Sequence, residues 1–599
     1  MNKQDLISKI KQLDGISQEE RSYLINLVNT KKKYGLVWED KPEDFEEQLR
    51  DNLPVLKEVK DKAIINGQDY PNHILIEGDN LHALTALTFT HEGKIDVIYI
   101  DPPYNTGSKD DFIYNDHYVD KEDAFRHSKW LSFMYRRLKI AKSLLKEDGV
   151  IFCSIGDDEI SQLTLLFNEI FTENNKLGII ARVAKTAGDM GNYFAPSKDY
   201  IIAFSKNKNN LSNFKDGVDE TLFKKTETEG QKIGEKYRDD VAFYQASQKD
   251  LRPNQKYFVD CPDGSKVIPP CSVQDEIMRD GDGRWRWSKE TYLLNKHLLV
   301  FKQTKKSPLV YEDGNPAKWN VYTKSYLNDR SEKGSSPRDY LDQFINRKGA
   351  DLIKQYDIDF SFSKPFELIQ HLIKITNKSN DITVLDFFAG SGTALHSVMS
   401  LNELDKGTRT CIITTNNENN ICDEVTYPRC DRTINPYTNK KGKEMPSFPN
   451  NNLRYYKSEF VSRETSLNNK RELTHLATEL LCIKENCYLE KSTTIKQAKL
   501  YENSKVALLI LFDDIVIPEA INFIKNYSGN KIKVYVFSIG SDPYTEDFTE
   551  VLDKIELCAL PDAIYKAYQN VLPKRKKPAI IELETENPID ENGEQLSIL

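Results

Sequence analysis

The chain has 599 residues, of which 39% are hydrophobic and 29% charged, proportions that are ordinary for globular protein. This length exceeds what one hydrophobic core supports, so we expect three or more domains. No run of about 18 apolar residues occurs, which argues against a membrane span, and the start of the chain lacks a signal peptide's apolar core. The net charge of −9 argues against indiscriminate coating of nucleic acid but permits a local basic groove.

The nine cysteines are few for this length, odd in number and scattered. Cys422 and Cys430 are eight positions apart, and Cys482 and Cys487 are five apart, which does not match the two-residue spacing of structural zinc ligands. We therefore predict reduced thiols, a cytoplasmic location and no bound metal.

The first segment, 1–60, has apolar residues at helical spacing and predicts a helical N-terminal arm whose role is packing rather than direct ligand contact. The apolar positions are Leu6, Ile7, Ile10 and Leu13. From 61 to 206, strand and helix patterns alternate, which predicts a parallel sheet covered by helices on both faces. The strand candidates are 73–77, 95–100, 149–155 and 199–204, and a long helix candidate is near 129–146.

Between 207 and 360 the alternation is lost, and turn signals such as Asp263-Gly264 and Asp280-Gly281-Asp282-Gly283 predict a strand-rich inserted domain. The α/β pattern returns in 361–460, and 461–599 predicts a further α/β domain with a charged, solvated tail at 574–577. The elements expected here are helices at 365–376 and 393–402 and strands at 382–388, 409–415, 505–511 and 532–538.

The most informative segment is Asp101-Pro102-Pro103-Tyr104-Asn105-Thr106-Gly107, at the carboxyl end of a predicted strand, where ligands bind in open α/β sheets. The exocyclic amine of a nucleobase is a poor nucleophile, and its reaction needs acceptors for both amine hydrogens. Asp101 offers one acceptor, the carbonyl of Pro102 offers another, and Tyr104 offers a ring on which a flipped-out base can stack. With Pro103, which restricts the backbone, these are our candidate catalytic residues. The alternative is an ordinary proline turn with a capping aspartate.

A second strand runs into a glycine turn and a helix, an arrangement that lets backbone approach a ligand closely. We assign cofactor binding to Asp386, Phe388, Ala389, Gly390, Ser391, Gly392 and Thr393. A dinucleotide fingerprint needs a third glycine where Leu395 stands, so that alternative is disfavoured. Simple strand–helix packing is the other explanation of the two glycines.

Four further residues extend the expected cofactor site. Glu418 follows strand 409–415 and is assigned to ribose hydroxyls, and Asp79 is assigned to an adenine ring. Each is also an ordinary strand-end cap. We add Asn105 and Thr106 from the first segment. Together the two motifs predict transfer of a methyl group from S-adenosylmethionine to an exocyclic amine of a DNA base by direct displacement, in which positioning is the main contribution.

Other chemistries fit the sequence less well. A Pro270-Cys271 dipeptide is the kind used for methylation of a cytosine ring carbon, but it lies in the turn-rich insert and follows no cofactor strand. No Walker-type phosphate loop or helicase motif occurs. An ATP-driven or nuclease step would therefore need another chain.

With these motifs in place, the chain resembles the modification subunit of type III restriction–modification systems, which are β-class adenine amino-methyltransferases. In that class the catalytic motif precedes the cofactor motif, and here about 280 residues separate Asp101 from Asp386. The other segments that carry the resemblance are Asp111-Phe112-Ile113-Tyr114-Asn115-Asp116, Trp130-Leu131-Ser132-Phe133-Met134-Tyr135, Phe360-Ser361-Phe362-Ser363-Lys364-Pro365, Tyr427-Pro428-Arg429 and Leu453-Arg454-Tyr455-Tyr456-Lys457.

The resemblance implies an α/β, Rossmann-like methyltransferase sheet in permuted order, with 61–206 and 361–460 as its two parts, a target-recognition domain in 207–360 and a C-terminal domain. It further implies duplex DNA as substrate, a homodimer and an ATP-dependent restriction partner, and it places Lys364 and Pro365 beside the cofactor pocket. Two positions depart from relatives, which usually have Thr at Ala394 and Asp at Gly156. Methylation of cytosine, of an RNA or protein amine, and non-catalytic DNA binding stay open as alternatives.

Overall fold

The structure is a computed structural model that describes residues 9–13, 15, 21, 24, 36–108, 113–114, 117–186, 193–245, 251–271, 273 and 277–573. The chain divides into a large unit, 1–212 with 338–373 and 378–599, and an insert unit, 213–337 with 374–377. Leu6 and Ile7 of the predicted arm, and the tail at 574–577, lie outside the described residues. The functions assigned to the five sequence segments stay predictions.

The first part of the large unit alternates strands and helices, as the sequence predicts. Its strands are β1 (Asn52–Glu58), β2 (Asn72–Glu77), β3 (Ile95–Ile100), β4 (Ile113–Tyr114), β5 (His117–Tyr118), β6 (Leu145–Ile155), β7 (Lys176–Val183) and β8 (Lys198–Ser205). Its helices are α1 (Asp44–Asp51), α2 (Asn80–His91), α3 (Arg126–Leu144) and α4 (Ile160–Phe171). The predicted helical arm is wrong at 52–58, because the apolar residues of β1 are buried in pairing with a later strand.

The insert unit is rich in short strands, as predicted, and its core is aromatic, with Phe243 stacked on Trp285. The Asp263-Gly264 turn closes the hairpin between β12 and β13, with Gly264 at φ +82°. The strands are β9 (Lys225–Thr226), β10 (Lys236–Ala242), β11 (Tyr244–Gln245), β12 (Val259–Asp260), β13 (Lys266–Ile268), β14 (Arg284–Trp285), β15 (Leu299–Gln303), β16 (Val310–Tyr311) and β17 (Trp319–Tyr326), and the helices are α5 (Lys289–Asn295) and α6 (Leu327–Lys333).

The remainder of the large unit follows the insert. Its strands are β18 (Tyr340–Leu341), β19 (Thr383–Asp386), β20 (Thr410–Thr415), β21 (Tyr437–Thr438), β22 (Glu444–Met445), β23 (Asn452–Ser462), β24 (Leu489–Lys491), β25 (Ala498–Glu502), β26 (Ala507–Leu511), β27 (Ile532–Phe537) and β28 (Ile555–Leu560). Its helices are α7 (Asn346–Gln355), α8 (Phe366–Ile375), α9 (Thr393–Asp405), α10 (Tyr427–Ile434), α11 (Leu467–Leu476), α12 (Thr478–Glu485), α13 (Ile517–Asn526) and α14 (Asp562–Tyr568).

One ten-stranded sheet dominates the large unit, in the order β1-β23-β2-β20-β19-β3-β6-β8-β7-β18. The strands from β23 to β6 are parallel, whereas β8 is antiparallel to both β6 and β7, and β1 is antiparallel to β23. The sheet is therefore mixed, which corrects the predicted all-parallel sheet. Alternating strand and helix patterns do not show that β7 and β8 follow one another as a direct antiparallel pair.

The central helix α2 is buried on nearly all sides, because it packs against α3, α12 and α14. The C-terminal segment thus covers part of the sheet's helical layer. None of the helices in the described part of the chain combines the length and apolar character needed to cross a bilayer. These findings confirm the predicted α/β, Rossmann-like fold.

Chain order and spatial order differ at the centre of the sheet. β19 lies between β20 and β3 in the sheet although residues 101–382 separate it from β3 in the chain, and Val384 pairs with Val97 in the parallel register. The carboxyl ends of β2, β20, β19 and β3 consequently meet at one edge. Asp386 is the last residue of β19, and Asp79, Glu418 and Asp101 follow β2, β20 and β3.

Candidate active site

Asp101 is the first residue after β3, and Lys364 Nζ donates a 2.5 Å hydrogen bond to its Oδ2. The aspartate and lysine side chains are 24% and 10% exposed, so this ion pair is partly shielded from solvent. The other carboxylate oxygen, Oδ1, is buried and has no hydrogen-bond partner among the described residues. Because buried polar atoms are normally hydrogen-bonded, Oδ1 is the acceptor that this loop leaves for a ligand.

The two prolines after Asp101 rest on α3. Pro102 is buried, and the carbonyl of Pro103 accepts a 2.8 Å hydrogen bond from Nε1 of Trp130, which is fully buried. Since proline fixes φ and has no N–H, the tryptophan anchors a loop whose backbone is already restricted.

Tyr104 is half-buried, and its hydroxyl donates a 3.3 Å hydrogen bond to Asp199 Oδ2. Arg182 and Asp199 form a buried bidentate salt bridge, in which Nε donates to Oδ1 at 2.8 Å and Nη2 donates to Oδ2. Burial raises the pKa of Tyr104 well above its ordinary value, and the negative charges of Asp101 and Asp199 raise it further. The phenol therefore stays neutral and keeps its O–H.

Gly156, directly after β6, lies against the Tyr104 ring. A Cβ at this position would lie 2.8 Å from Tyr104 Cδ2, closer than real Cβ atoms approach other heavy atoms. A side chain such as aspartate at 156 would require this ring to move. The glycine at 156 therefore allows the Tyr104 ring to occupy its observed position.

Asn105 takes a left-handed backbone conformation with φ +57° and is buried. Its Nδ2 donates a 2.5 Å hydrogen bond to Glu159 Oε1, which also lies 2.6 Å from His127 Nδ1. The Thr106 hydroxyl donates to Ser108 Oγ at 3.1 Å. Asn105 thus bonds to the residue that precedes α4 and Thr106 bonds within the loop, and their assignment to cofactor binding stays a prediction.

The glycine turn connects β19 to α9. Gly390 and Gly392 have φ values of +48° and +74°, conformations that residues with a Cβ rarely adopt. Ala389 N donates to Thr414 O on the neighbouring strand at 3.1 Å, and Gly392 N donates to Ala389 O at 2.7 Å. The hydroxyl of Thr426 donates to Gly390 O at 2.5 Å, so the turn is fixed on both sides.

An acidic residue, Asp386, and an aromatic residue, Phe388, precede this turn. Asp386 is buried, and its Oδ1 accepts a 3.0 Å hydrogen bond from Phe388 N. Burial raises the pKa of Asp386 to about 8, the Phe388 N–H opposes this effect, and the negative charge of Asp101 adds to it. The half-buried ring of Phe388 lies 5.7 Å from the ring of Phe133 on α3.

Ser391 and Thr393 form a buried hydroxyl cluster with Ser363. Ser391 Oγ donates to Ser363 Oγ at 3.1 Å and lies 3.2 Å from Thr393 Oγ1. Arg429 Nη1 donates to Ser391 Oγ at 3.0 Å, to Thr393 Oγ1 at 2.9 Å and to Ser363 Oγ at 3.1 Å. One guanidinium group therefore connects three hydroxyls beneath the turn.

The dipeptide Ser363-Lys364 joins the two motifs, because Ser363 contacts Ser391 while Lys364 contacts Asp101. Gly349 on α7 makes this position possible. A Cβ there would lie 2.2 Å from Ser363 O and 2.6 Å from Lys364 O, and both atoms belong to the backbone. The structure thus brings the two distant sequence motifs together through a third segment.

Asp79 and Glu418 occupy the same edge but are held differently. Asp79 Oδ1 caps α2 by accepting from Leu81 N at 2.7 Å, and its Oδ2 accepts from Arg137 Nη2 at 3.3 Å. Glu418 is exposed, and its Oε2 accepts from Asn416 Nδ2 at 3.2 Å. Among the described residues, no hydrogen bond or ion pair joins Glu418 to the glycine turn, so its predicted role rests on position alone.

Sequence reasoning missed several polar groups that shape the site. The Arg182–Asp199 pair, the Asn105–Glu159 contact and the position of Arg429 each join residues far apart in the chain, and no local pattern indicates them. Arg429 belongs to Tyr427-Pro428-Arg429, one of the segments that carry the family resemblance. That resemblance indicated the residue but gave it no role.

Comparisons with known proteins identify the relatives of this chain. The family model described as DNA methylase (N6_N4_Mtase) matches residues 95–426, just over half of the chain. The Mod subunit of the EcoPI type III restriction–modification enzyme of Escherichia phage P1 is 32% identical over 64% of this chain and 63% of its own length. The corresponding EcoP15I subunit of Escherichia coli is 30% identical, over 63% of each chain.

A third relative lies outside the type III group. The type II methyltransferase M.KpnI of Klebsiella pneumoniae is 30% identical over 60% of this chain and 84% of its own length. The chain spans about 63% of the length of the two type III relatives. These matches confirm the resemblance inferred from the motifs, and the chain belongs to the N6_N4_Mtase family of DNA methylases.

Proposed function

We propose that this protein transfers a methyl group from S-adenosylmethionine to the N6 amine of adenine in duplex DNA. The observation that carries the proposal is Asp101, whose Oδ2 is taken by Lys364 and whose buried Oδ1 has no partner among the described residues. Ser363, next to Lys364, contacts the glycine turn. A hydrogen acceptor and a cofactor-type turn are thus held together by one dipeptide.

The residues of the turn fit S-adenosylmethionine, which supplies a methyl group activated by its sulfonium. Asp386, Phe388 and the segment 389–393 would hold it, with Asp79 at the adjacent strand end. Arg137 supports this region from below, since it donates to both Asn80 and Glu43, and Asn80 Nδ2 donates to Phe387 O at 2.9 Å. Asn105 Oδ1, buried without a partner in the described chain, is a further acceptor beside the loop.

The groups of the catalytic loop have separate tasks in this proposal. Asp101 Oδ1 accepts one hydrogen of the amine and draws its lone pair out of conjugation, while Lys364 keeps the carboxylate in place through Oδ2. The neutral ring of Tyr104 stacks on the extruded base. Because Arg182 and Asp199 fix the Tyr104 hydroxyl, little order has to be gained when the base arrives.

Adenine is favoured over cytosine because the motif begins with Asp101, whereas the cytosine-amine class more often begins with serine. The resemblance to type III modification subunits, which are adenine amino-methyltransferases, favours adenine as well. By analogy with them we further propose that the chain forms a homodimer, reads a short asymmetric sequence through its insert unit and serves an ATP-dependent restriction subunit. Digestion of modified DNA to nucleosides and mass measurement separates N6-methyladenine from N4-methylcytosine.

Replacement of Asp101 tests the assignment directly. Asp101→Asn and Asp101→Ala are expected to lower methyl transfer by about 1,000-fold or more, because they remove an acceptor needed in the transition state, while S-adenosylmethionine still binds. The matched control is Asp96→Asn. Asp96 lies on the same strand and also pairs with a lysine, with Lys146 Nζ 2.8 Å from Oδ1, but at the opposite end of β3. Near-normal methylation by Asp101→Asn, with Asp96→Asn active, would show that Asp101 is not the acceptor.

A further inference from the structure

Arg429 is a fully buried arginine that lies under the glycine turn, and no carboxylate of the described residues pairs with it. Nη1 makes its hydrogen bonds to the hydroxyl cluster and to Ser391 O at 3.3 Å. Nε and Nη2 are buried and have no hydrogen-bond partner among the described residues. Other buried arginines of the large unit differ, since Arg182 pairs with Asp199 and Arg137 pairs with Glu43.

The groups around Arg429 do not neutralise it. Burial lowers the pKa of Arg429 to about 10, which still leaves the guanidinium charged at neutral pH. Burial raises the pKa of Tyr356 to about 12 and lowers that of His396 well below its ordinary value, so both neighbours are uncharged. Glu367 acts on Arg429 only through its charge at a distance. An unpaired buried cation costs several kcal/mol, which favours a partner that arrives later.

Three features at this point favour an anion. Ser391 Oγ donates to Ser363 Oγ and Ser363 Oγ donates to Lys364 O, so Thr393 is the hydroxyl of the cluster that can still direct its O–H toward a ligand while it accepts from Arg429. Thr393 opens the 13-residue helix α9, and its N-cap Gly392 offers no side-chain cap to the first N–H groups. A helix N-terminus attracts negative charge. The buried cation adds to this field from beneath.

We propose that Arg429 is a positioning residue for the α-carboxylate of the methyl donor, acting through the hydroxyl of Thr393 and the amino end of α9. This inference rests on the proposed function, because the carboxylate is the anionic group of S-adenosylmethionine. Arg429 does not reach the ligand itself, since its free nitrogens are buried. It orients the Thr393 hydroxyl, to which Nη1 donates at 2.9 Å, and makes the amino end of α9 more positive.

The alternative is that Arg429 only holds the turn together. Decarboxylated S-adenosylmethionine separates the two roles, because it has the same nucleoside and sulfonium but no carboxylate. If Arg429 serves the carboxylate, its loss weakens binding of the normal donor much more than binding of the decarboxylated one. If it is only a clamp, its loss weakens both equally.

The experiment is calorimetric titration of the full-length chain, without DNA, with each of the two compounds. Arg429→Met is expected to weaken S-adenosylmethionine binding by about 10- to 100-fold, as for loss of charge-assisted hydrogen bonds, and binding of the decarboxylated compound by less than about 3-fold. Arg429→Lys keeps the charge but loses the planar guanidinium group. Its affinity for S-adenosylmethionine is expected to lie between those of the wild type and Arg429→Met. Equal losses for both compounds, or no loss for either, would overturn the proposal.

Arg409→Met is the matched control. Arg409 is also buried, but it pairs with Asp405 at 2.7 Å and with Asn380 at the amino-terminal side of β20. Its loss is expected to leave both affinities unchanged. Should Arg429→Met fail to fold, Thr393→Val keeps the arginine and removes one donor, and unchanged discrimination between the two compounds would then overturn the proposal. A wild-type chain that binds neither compound would instead refute the proposed function.

Discussion

The catalytic loop and the glycine turn end neighbouring strands, yet their charges are arranged in opposite ways. In the loop, each carboxylate faces a cation, since Asp101 pairs with Lys364 and Asp199 pairs with Arg182. Under the turn, no anion among the described residues pairs with Arg429, and Asp386 accepts from the N–H of Phe388 without a cation beside it in that part of the chain. Charged groups are therefore paired at the catalytic loop, whereas those at the glycine turn have no partner of opposite charge among the described residues.

This difference matches the ligands that the two regions are proposed to take. A nucleobase is neutral, so the loop that receives it needs an oriented acceptor and no net field. S-adenosylmethionine has a carboxylate and positive groups, and it can complete both the cationic and the acidic position of the turn. The contrast also depends on one shared element, the Ser363-Lys364 dipeptide, which touches both regions.

Breaking the shared dipeptide should damage both regions at once. Gly349→Ala places a Cβ 2.2 Å from Ser363 O and 2.6 Å from Lys364 O, and backbone atoms cannot move aside as a flexible side chain does. We expect methyl transfer to fall by about 1,000-fold, or about 4 kcal/mol, and donor binding to weaken in parallel. The measurements are DNA methylation rates and donor titration.

A second alanine substitution controls for the loss of glycine itself. Gly178 lies in β7, and a Cβ there meets nothing within 4 Å. Gly178→Ala is expected to leave activity and donor affinity unchanged. If Gly349→Ala retains donor binding while activity falls, the Ser363-Lys364 dipeptide supports the catalytic loop alone and does not support the glycine turn.

Asp386, which has no cation beside it among the described residues, should make the free energy of unfolding depend on pH. The pKa of Asp386 is raised to about 8 in the folded chain, whereas an unfolded aspartate titrates near 4. The folded state therefore binds the extra proton between these values, and the free energy of unfolding falls as pH rises from about 4 to about 8. Asp386→Asn cannot ionise and should escape this loss.

The measurement is the difference in Tm between Asp386→Asn and wild type, without ligand, over that pH range. We expect the variant to gain relative stability as pH rises, on the order of 5 kcal/mol by about pH 8, because about four units separate the two pKa values, and no further gain above it. Other titrating groups cancel in the difference. A constant difference from acid to alkaline pH would contradict a raised pKa for Asp386.

The two regions also differ in how far the sequence could predict them. Asp101 and the turn around Gly390 are local patterns, so their strand-end positions followed from hydrophobic periodicity and glycine spacing. The Lys364–Asp101 pair joins residues 263 positions apart, and the resemblance indicated only its neighbourhood. Arg429 and Gly349 act through packing of separate helices on the turn, which no window of sequence contains. The antiparallel direction of β8 was missed for a different reason, because the strand and helix patterns do not show that β8 pairs directly with the strand before it.

The smallest expected effect concerns the contact between Gly156 and the Tyr104 ring. Gly156→Ala brings a Cβ to 2.8 Å from Tyr104 Cδ2, and a displaced ring should lower methyl transfer by about 10-fold, since misplaced groups lose positioning. In a Tyr104→Ala background no ring remains to be displaced, so Gly156→Ala should then cost nothing further. The double-mutant cycle measures this coupling. Independent, additive losses would mean that residue 156 acts on the loop by another route, because the one steric conflict specific to the ring is absent from the double variant.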